Sequence, residues 1–297
     1  METRQHKLAM LIKLIESQAP QDGIYPSYIN DVYTARTSQS SLYGATIYQP
    51  GIIIVAQGEK HTSVNGKRYT YKAGNFLTVL LPMPAEVEVS NATPEEPFLA
   101  LGLYVDLNRL VNMIHRMEMA DPLSIQSGTT NASGIFAAPI SDKLLDASIR
   151  LLTVLSNSVE AAILGDSIIE EIYFRILNEE AGGMLKYLLQ QRGQIRQISR
   201  AIEYIHQNLN QSLSVDVLAE LVNMSVSGFH RKFKEVLHLS PIQYIKSIRL
   251  NKARTLILDG ESVSEAAYAV GYNSPAQFSR EYKRLFGYTP SFTQVAE

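Results

Sequence analysis

No cysteine occurs anywhere in the 297 residues. That excludes a disulfide framework, a thiolate nucleophile and cysteine-based zinc, and it suits a reducing compartment, so a cytoplasmic location is expected. No apolar run approaches the ~20 residues that a membrane-spanning helix needs, so no membrane association is expected. The apolar stretch from Leu8 to Ile15 is interrupted by Lys13 and followed by no Ala-x-Ala site, so it reads as an amphipathic first helix and not as a signal peptide. Catalytic groupings are missing as well: there is no Ser/His/Asp pattern and no paired-carboxylate signature. The strand-rich region holds a single histidine, His61 next to Glu59-Lys60, which reads as a surface residue of a hairpin. A non-enzyme without metal, catalytic residues or cofactor is expected. Net charge is small too, at −2, which argues against nucleic acid until the chain is divided. Residues 1–193 hold 15 Lys/Arg against 20 Asp/Glu, whereas residues 194–297 hold 12 against 9. The positive charge is gathered at one end, as a local phosphate-binding face requires.

What is present begins with 45% hydrophobic and 19% charged residues, the composition of a globular chain. At about 100–200 residues per domain, the length suggests two domains. These are placed at residues 1–190 and 191–297, with the polar run Gln190 to Gln194 as the end of a linker. The fold class expected is α+β: a β-barrel or sandwich with helices, followed by an all-α domain.

In the first part, a helix over 6–16 precedes a strand-rich stretch from Tyr25 to Asp106. Ile52 to Val55 is apolar on both faces and reads as a central strand. Asn65-Gly66 supplies the two positive φ angles of a type I′ hairpin turn between 62–64 and 67–71. Val87 and Val89 should face in, with Glu86 and Glu88 out. Short strands at this spacing indicate a sandwich or small barrel. Tyr33, Tyr43, Tyr48, Tyr69, Tyr71 and Tyr104 either line a pocket or serve as core aromatics. Helices are expected over 108–119, 142–155 and 166–177, with a loop from Leu123 and a short strand at 135–138; Gly182-Gly183 breaks the pattern. One reading of the helices over 142–155 and 166–177 is that they cover the barrel.

The last hundred residues contain an internal repeat. Met224 to Lys234 returns 49 residues later as Asn273 to Lys283. At that offset Ser225 matches Ser274, Phe229 matches Phe278, Arg231 matches Arg280, Phe233 matches Tyr282, Lys234 matches Lys283 and Pro241 matches Pro290. Helices are expected over 195–208, 215–222 (with Val217, Leu218 and Leu221 inward) and from Ser225 to about Leu237. Phe229, Phe233 and Leu237 at four-residue spacing must face the core, leaving Ser227, His230, Arg231 and Lys234 on the open side. Ser240-Pro241 starts a helix over 242–258. A second unit follows, with a helix over 264–270, a turn at Gly271 in the left-handed conformation, and a helix capped by Ser274 with Pro275 at its first position. Phe278, Tyr282 and Phe286 face in; Gln277, Ser279, Arg280 and Lys283 face out. These are two helix-turn-helix units, about 213–237 and 263–286, joined by one helix. Two such helices read successive major grooves if ~34 Å apart, farther than the connector's ~26 Å. The rest must come from the placement of each unit or from bent DNA.

Leu218-Ala219, Phe233-Lys234, Arg249-Leu250, Ala253-Arg254, Glu265-Ala266-Ala267, Gly271-Tyr272, Phe278-Ser279-Arg280, Phe286-Gly287 and Thr289-Pro290 carry a close resemblance to the DNA-binding domain of AraC/XylS-family transcriptional regulators. The first part more loosely resembles the cupin-like sensor domain of such regulators. Metal-dependent cupins supply two or three His plus a Glu, which this chain does not. The resemblance implies a sequence-specific regulator that binds double-stranded promoter DNA, takes a small-molecule effector in its first domain, contacts RNA polymerase and pairs as a homodimer through the first domain's helices. It implies base contacts from Ser227, His230 and Arg231 in the first unit, and from Ala276, Gln277, Ser279 and Arg280 in the second. Lys234, Lys283 and the caps Ser225 and Ser274 would hold phosphates. Arginine can read guanine and glutamine adenine through paired hydrogen bonds, whereas lysine on phosphate is blind to sequence. The alternative for Arg231 and Arg280 is a surface salt bridge. Three positions depart from the family pattern: Gly228 within the first recognition helix, His238 in place of a glycine, and Thr293 in place of an arginine.

Overall fold

A computed structural model describes residues 3–121, 133–179, 182–190 and 192–293. The chain divides into two compact units. The first holds residues 1–43, 49–81 and 87–192; the second holds 193–297 together with 44–48 and 82–86. Among the described residues no helix is long and apolar enough to cross a membrane.

The first unit opens with helix α1 (Arg4–Gln18), capped by the Thr3 hydroxyl. Nine strands follow along the chain, of which β3 and β8 lie partly in residues counted with the second unit: β1 (Gly23–Pro26), β2 (Val32–Thr37), β3 (Ser41–Tyr48), β4 (Gly51–Gln57), β5 (Glu59–Val64), β6 (Lys67–Lys72), β7 (Asn75–Val79), β8 (Met83–Ser90) and β9 (Phe98–Tyr104). Helix α2 (Leu107–Ala120) and strand β10 (Ile135–Pro139) come next, then α3 (Asp142–Val154), α4 (Ser158–Leu177) and α5 (Gly182–Gln190). The strands form a six-stranded sheet ordered β1-β2-β9-β4-β7-β10 and a four-stranded sheet ordered β3-β8-β5-β6. The triple-isoleucine strand β4 lies inside the larger sheet between β9 and β7, where a strand apolar on both faces belongs. Asn65 and Gly66 take φ of 49° and 78° and close the β5–β6 hairpin as the dipeptide demands. Val89 is buried, Val87 half-buried and Glu86 exposed, while Glu88 is partly covered in pairing with Arg68 at 3.0 Å.

Several expectations need correction. His61 is not a surface residue: it is 9% exposed, with Nδ1 2.9 Å from Thr70 Oγ1 and Nε2 3.0 Å from Glu59. Helix α4 begins eight residues before the expected Asp166, because Asn157 caps it through its side chain. Gly165 does not interrupt α4, since it is the position where Ile29 packs against the helix. Phe174 on this helix is 39% exposed. Gly182 starts α5 where a break was expected. The expected linker is mostly helix, with α5 ending at Gln190 and the next helix beginning at Arg192. The loop expected from Leu123 and the residues Pro122 and Gln191 lie outside the described residues, except that 133–139 carries β10. Of the tyrosines, Tyr71 and Tyr69 are core residues at 0% and 9% exposure. Tyr33 and Tyr104 pair with ring centroids 5.1 Å apart. Tyr48 is half-buried, and the side chain of Tyr43 lies outside the described residues.

The second unit is built on helices: α6 (Arg192–Gln207), α7 (Val215–Leu221), α8 (Val226–Leu237), α9 (Pro241–Leu258), α10 (Val263–Ala269) and α11 (Pro275–Phe286), with a short 3-10 turn at Pro290–Phe292. Ile198, Ala201, Ile202 and Ile205 on α6 are buried as their spacing requires. Val217, expected inward, is 44% exposed. The short α7 presents the stripe Leu218-Val222 at i and i+4, flanked by Ala219, and Val217 falls one position off it. Around the second helix-turn-helix, Leu250, Ala253, Ile257, Ala266, Ala267, Val270, Tyr272, Phe278 and Tyr282 form one buried cluster, with Phe286 packed against it.

Candidate nucleic-acid interface

Both recognition helices are set by their caps. Ser225 accepts a hydrogen bond from the Gly228 N–H at the start of α8, and Ser274 accepts one from Gln277 N–H at the start of α11. Pro275 occupies the first position of α11, where its missing N–H costs nothing. The preceding helices end alike. Asn223 N–H reaches Glu220 O and Met224 N–H reaches Ala219 O; in the second unit Gly271 N–H reaches Tyr268 O and Tyr272 N–H reaches Ala267 O. Asn223 and Gly271 take φ of 55° and 86° at matching places. The second turn is one residue longer, and the extra residue falls between this left-handed position and the next cap.

Gly228 stands in the first turn of α8, not deep within it, and a Cβ there would lie 2.9 Å from the cap hydroxyl. His238 occupies the left-handed C-cap of α8 at φ 58°, the position that Gly287 fills for α11 at φ 84°. Thr293 is fully buried and bonds Tyr282 Oη and Pro290 O, both at 2.7 Å, so it closes the C-terminal turn.

On α8, Phe229, Phe233 and Leu237 are buried. Ser227, His230, Arg231 and Lys234 are exposed along one stripe at i, i+3, i+4 and i+7. On α11, Phe278 and Tyr282 are buried, Phe286 half-buried, and Ala276, Gln277, Arg280 and Lys283 exposed; Ser279 is half-buried. Lys232 and Lys246 pair with Glu235 and Glu281, each at 3.1 Å. Among the described residues no carboxylate pairs with Arg231, Lys234, Arg280 or Lys283. The salt-bridge alternative for the two arginines therefore finds no partner, and four cations face outward uncompensated.

Helix α9 connects the units over 18 residues, about 27 Å at ~1.5 Å per residue. Ser240 and Gln243 close a capping box at its start. From its middle, Arg249 donates Nε–H to Leu209 O at 3.0 Å and Nη2–H to Gln211 O at 2.6 Å, capping the segment that follows α6. The same guanidinium lies against Gly271, so α9 touches the end of the first helix and the turn of the second unit at one residue. His206 on α6 sits 3.0 Å from Tyr244 Oη, and burial holds its imidazole below the usual range. Arg249 stood out in the sequence only as part of the family pattern, and neither its contacts nor the αL role of Asn223 was readable there. A half-buried arginine and an asparagine ahead of a serine cap are signals only once the turn is placed.

In the first unit, a cavity of about 370 Å³ opens between Gln18 of α1, Tyr25 and Pro26 of β1 with Ser27 and Tyr28 after it, Thr34 of β2 and Leu155 at the end of α3. Its wall includes Thr34, whose buried Oγ1 has no hydrogen-bond partner.

Residues 28–184 match the family described as the AraC-type transcriptional regulator N-terminus, and residues 218–295 match a helix-turn-helix domain family. The lactose operon transcription activator of Staphylococcus xylosus is 25% identical over 250 residues, covering 82% of this chain and 83% of that protein. The thermoregulatory protein LcrF of Yersinia pestis is 26% identical over 251 residues, covering 84% and 90%. Among solved structures, a ligand-free point variant of ToxT from Vibrio cholerae has the same fold, with a TM-score of 0.50 at 11% identity over 90% of this chain and 98% of that one. Wild-type ToxT with a bound unsaturated fatty acid gives a TM-score of 0.50 at 15% identity over 90% and 95%. A sheet-built first part followed by paired helix-turn-helix units, with the first match alone spanning more than half its length, makes this chain a member of the AraC-type transcriptional regulators, DNA-binding proteins that control transcription.

Proposed function

We propose that this regulator reads promoter DNA by placing α8 and α11 in successive major grooves. Ser227, His230 and Arg231 on α8, and Ala276, Gln277, Ser279 and Arg280 on α11, meet base edges. Lys234 and Lys283, with the capped N-termini at Ser225 and Ser274, meet phosphates. The observation that carries this reading is the unpaired state of Arg231, Lys234, Arg280 and Lys283 on two faces whose other sides are core. Selection of bound sequences from random duplexes tests it. Arg231→Ala and Arg280→Ala should each relax a different cluster of base pairs. Unchanged selected motifs for both would overturn the assignment.

The first unit holds a small-molecule effector in this reading, and occupancy biases the DNA arrangement that the protein favours. The same fold holds an unsaturated fatty acid in ToxT, so ligand holding is a role the architecture supports. The cavity beside Thr34 is the candidate place. A thermal-shift screen of the full chain against small metabolites, repeated with Tyr25→Ala, tests both parts. Contact with RNA polymerase belongs to the same reading.

A homodimer through the first unit is the further element, favoured by one observation. Helix α4 exposes Val159, Ile163 and Leu164 at 69%, 72% and 46%. Exposed apolar residues at this spacing on one helix mark an association surface. Sedimentation of the wild type and of Ile163→Glu distinguishes a dimer through α4 from a monomer.

A further inference from the structure

Glu281 is the one carboxylate on α11, facing a surface proposed to meet a polyanion. Its side chain is 13% exposed and accepts from three directions. Tyr272 Oη donates to it at 2.8 Å from the turn before α11, Lys246 Nζ lies 3.1 Å away on α9, and Gln277 Nε2 donates at 3.3 Å from one helical turn earlier. Burial alone would raise its pKa; the three donors and the lysine charge outweigh that and hold it below the usual carboxylate range. It therefore stays ionised and acceptor-only, so it can receive an N–H from Gln277 but cannot donate to the glutamine's carbonyl oxygen.

That asymmetry matters for a glutamine that reads a base. A side-chain amide presents a donor on one side and an acceptor on the other, and a half-turn of its terminal torsion exchanges them. Bidentate recognition of adenine needs an N–H toward N7 and the oxygen toward the N6 amino group. The bond to Glu281 uses one N–H of Gln277 and leaves the other N–H and Oε1 in a fixed order. The flipped amide would set its oxygen against an ionised carboxylate.

We infer that Glu281 is a specificity-determining positioning residue: anchored by Tyr272 and Lys246, it locks the amide orientation of Gln277 so that this side chain selects adenine at one base pair. The inference rests on the proposed base-reading role of Gln277, and Lys246 offsets the repulsion a bare carboxylate would bring to the phosphates.

The test uses the full chain and random-duplex selection, with affinities for selected and non-specific duplexes. Gln277→Ala should erase the preference for A·T at one position. Glu281→Gln should lower that same preference roughly five- to tenfold, a part of the discrimination a bidentate pair supplies, while non-specific affinity stays equal or rises. Lys246→Met removes one anchor but leaves Tyr272 and the bond to Gln277, so it should keep most of the preference and serve as a control for general disturbance of α11. If Gln277→Ala changes no position, the base-reading role itself fails. If it erases a preference that Glu281→Gln keeps in full, or if Lys246→Met loses as much as Glu281→Gln, the positioning role fails.

Discussion

Replacing Gly271 by alanine is the sharpest perturbation the second helix-turn-helix offers, because Gly287 supplies an internal reference. Both glycines are left-handed, at φ 86° and 84°. An L-residue in that conformation costs about 1–2 kcal/mol, so both substitutions carry the same backbone penalty. Their surroundings differ. At Gly287 a Cβ meets nothing within 4 Å, whereas at Gly271 it would lie 2.6 Å from Leu209 O and 2.9 Å from Arg249 Nη2. The contact with Leu209 O is with backbone and cannot be relieved by a side-chain rotation. Moving that carbonyl disturbs the bond it accepts from Arg249 Nε at 3.0 Å. A charge-assisted hydrogen bond is worth about 1.5–3 kcal/mol, so Gly271→Ala should cost about 2.5–5 kcal/mol against about 1–2 for Gly287→Ala. With no tryptophan in the chain, urea unfolding is best followed by the far-UV helical signal. DNA affinity provides a second readout, since the turn aims α11. Equal midpoints for the two variants would refute the claim that Gly271 is required for close approach as well as for its φ.

Other outcomes follow from the same geometry. Lys283→Ala should weaken binding to all duplexes alike and reduce the salt slope by about one; a loss confined to certain sequences would contradict a phosphate role. Arg280→Ala should cost about 1–3 kcal/mol of discrimination at one or two base pairs with the fold intact, read by competition between single-substitution duplexes. Ser225→Ala removes the cap of α8 and should lower stability by about 1 kcal/mol in denaturant titration; an unchanged midpoint would mean that water replaces the hydroxyl without loss. The His206 imidazole is held below its ordinary value by burial, so the unfolded chain protonates first as pH falls. Its contribution is present above about pH 6.5 and is lost as pH drops from there toward the folded value. Wild type should therefore lose more thermal stability than His206→Asn between about pH 7.5 and 5.5, and parallel curves would argue against the shift.

The second unit was legible because its signals are local and repeated. Serine caps, a proline at a first helical position, aromatic residues four apart and a glycine after a helix each fix a short segment, and the 49-residue repeat checks one copy against the other. The expected faces of α8 and α11 agree with the exposures of nearly every residue named on them. Val217 failed because seven residues give too little of a stripe to set its phase. In the first unit the hairpin at Asn65-Gly66 and the central position of β4 were readable, being matters of backbone angle and two-sided apolarity. The pairing order was not, since β9 joins β2 to β4 across more than forty residues and nothing local records that. His61 is covered for a related reason: Thr70, which bonds its Nδ1, faces it only once the hairpin closes, although Glu59 is a neighbour on the same strand. Glu281 shows the same limit at the interface. Its link to Gln277 is visible as an i, i+4 spacing, but its anchors at Tyr272 and Lys246 belong to other elements.

The single helix α9 joins the two readers without a hinge, and an α-helix couples length to rotation. One added residue lengthens it by about 1.5 Å but turns everything beyond it by about 100°. A one-residue insertion in α9 would thus swing α11 off the side of the duplex that α8 is proposed to occupy. A seven-residue insertion would return nearly to the starting angle, about 20° short, while separating the readers by about 10 Å more. Tolerance of half-site spacing in this regulator is accordingly a question of phase, and length variants of α9 should alternate between silent and competent with the period of the helix.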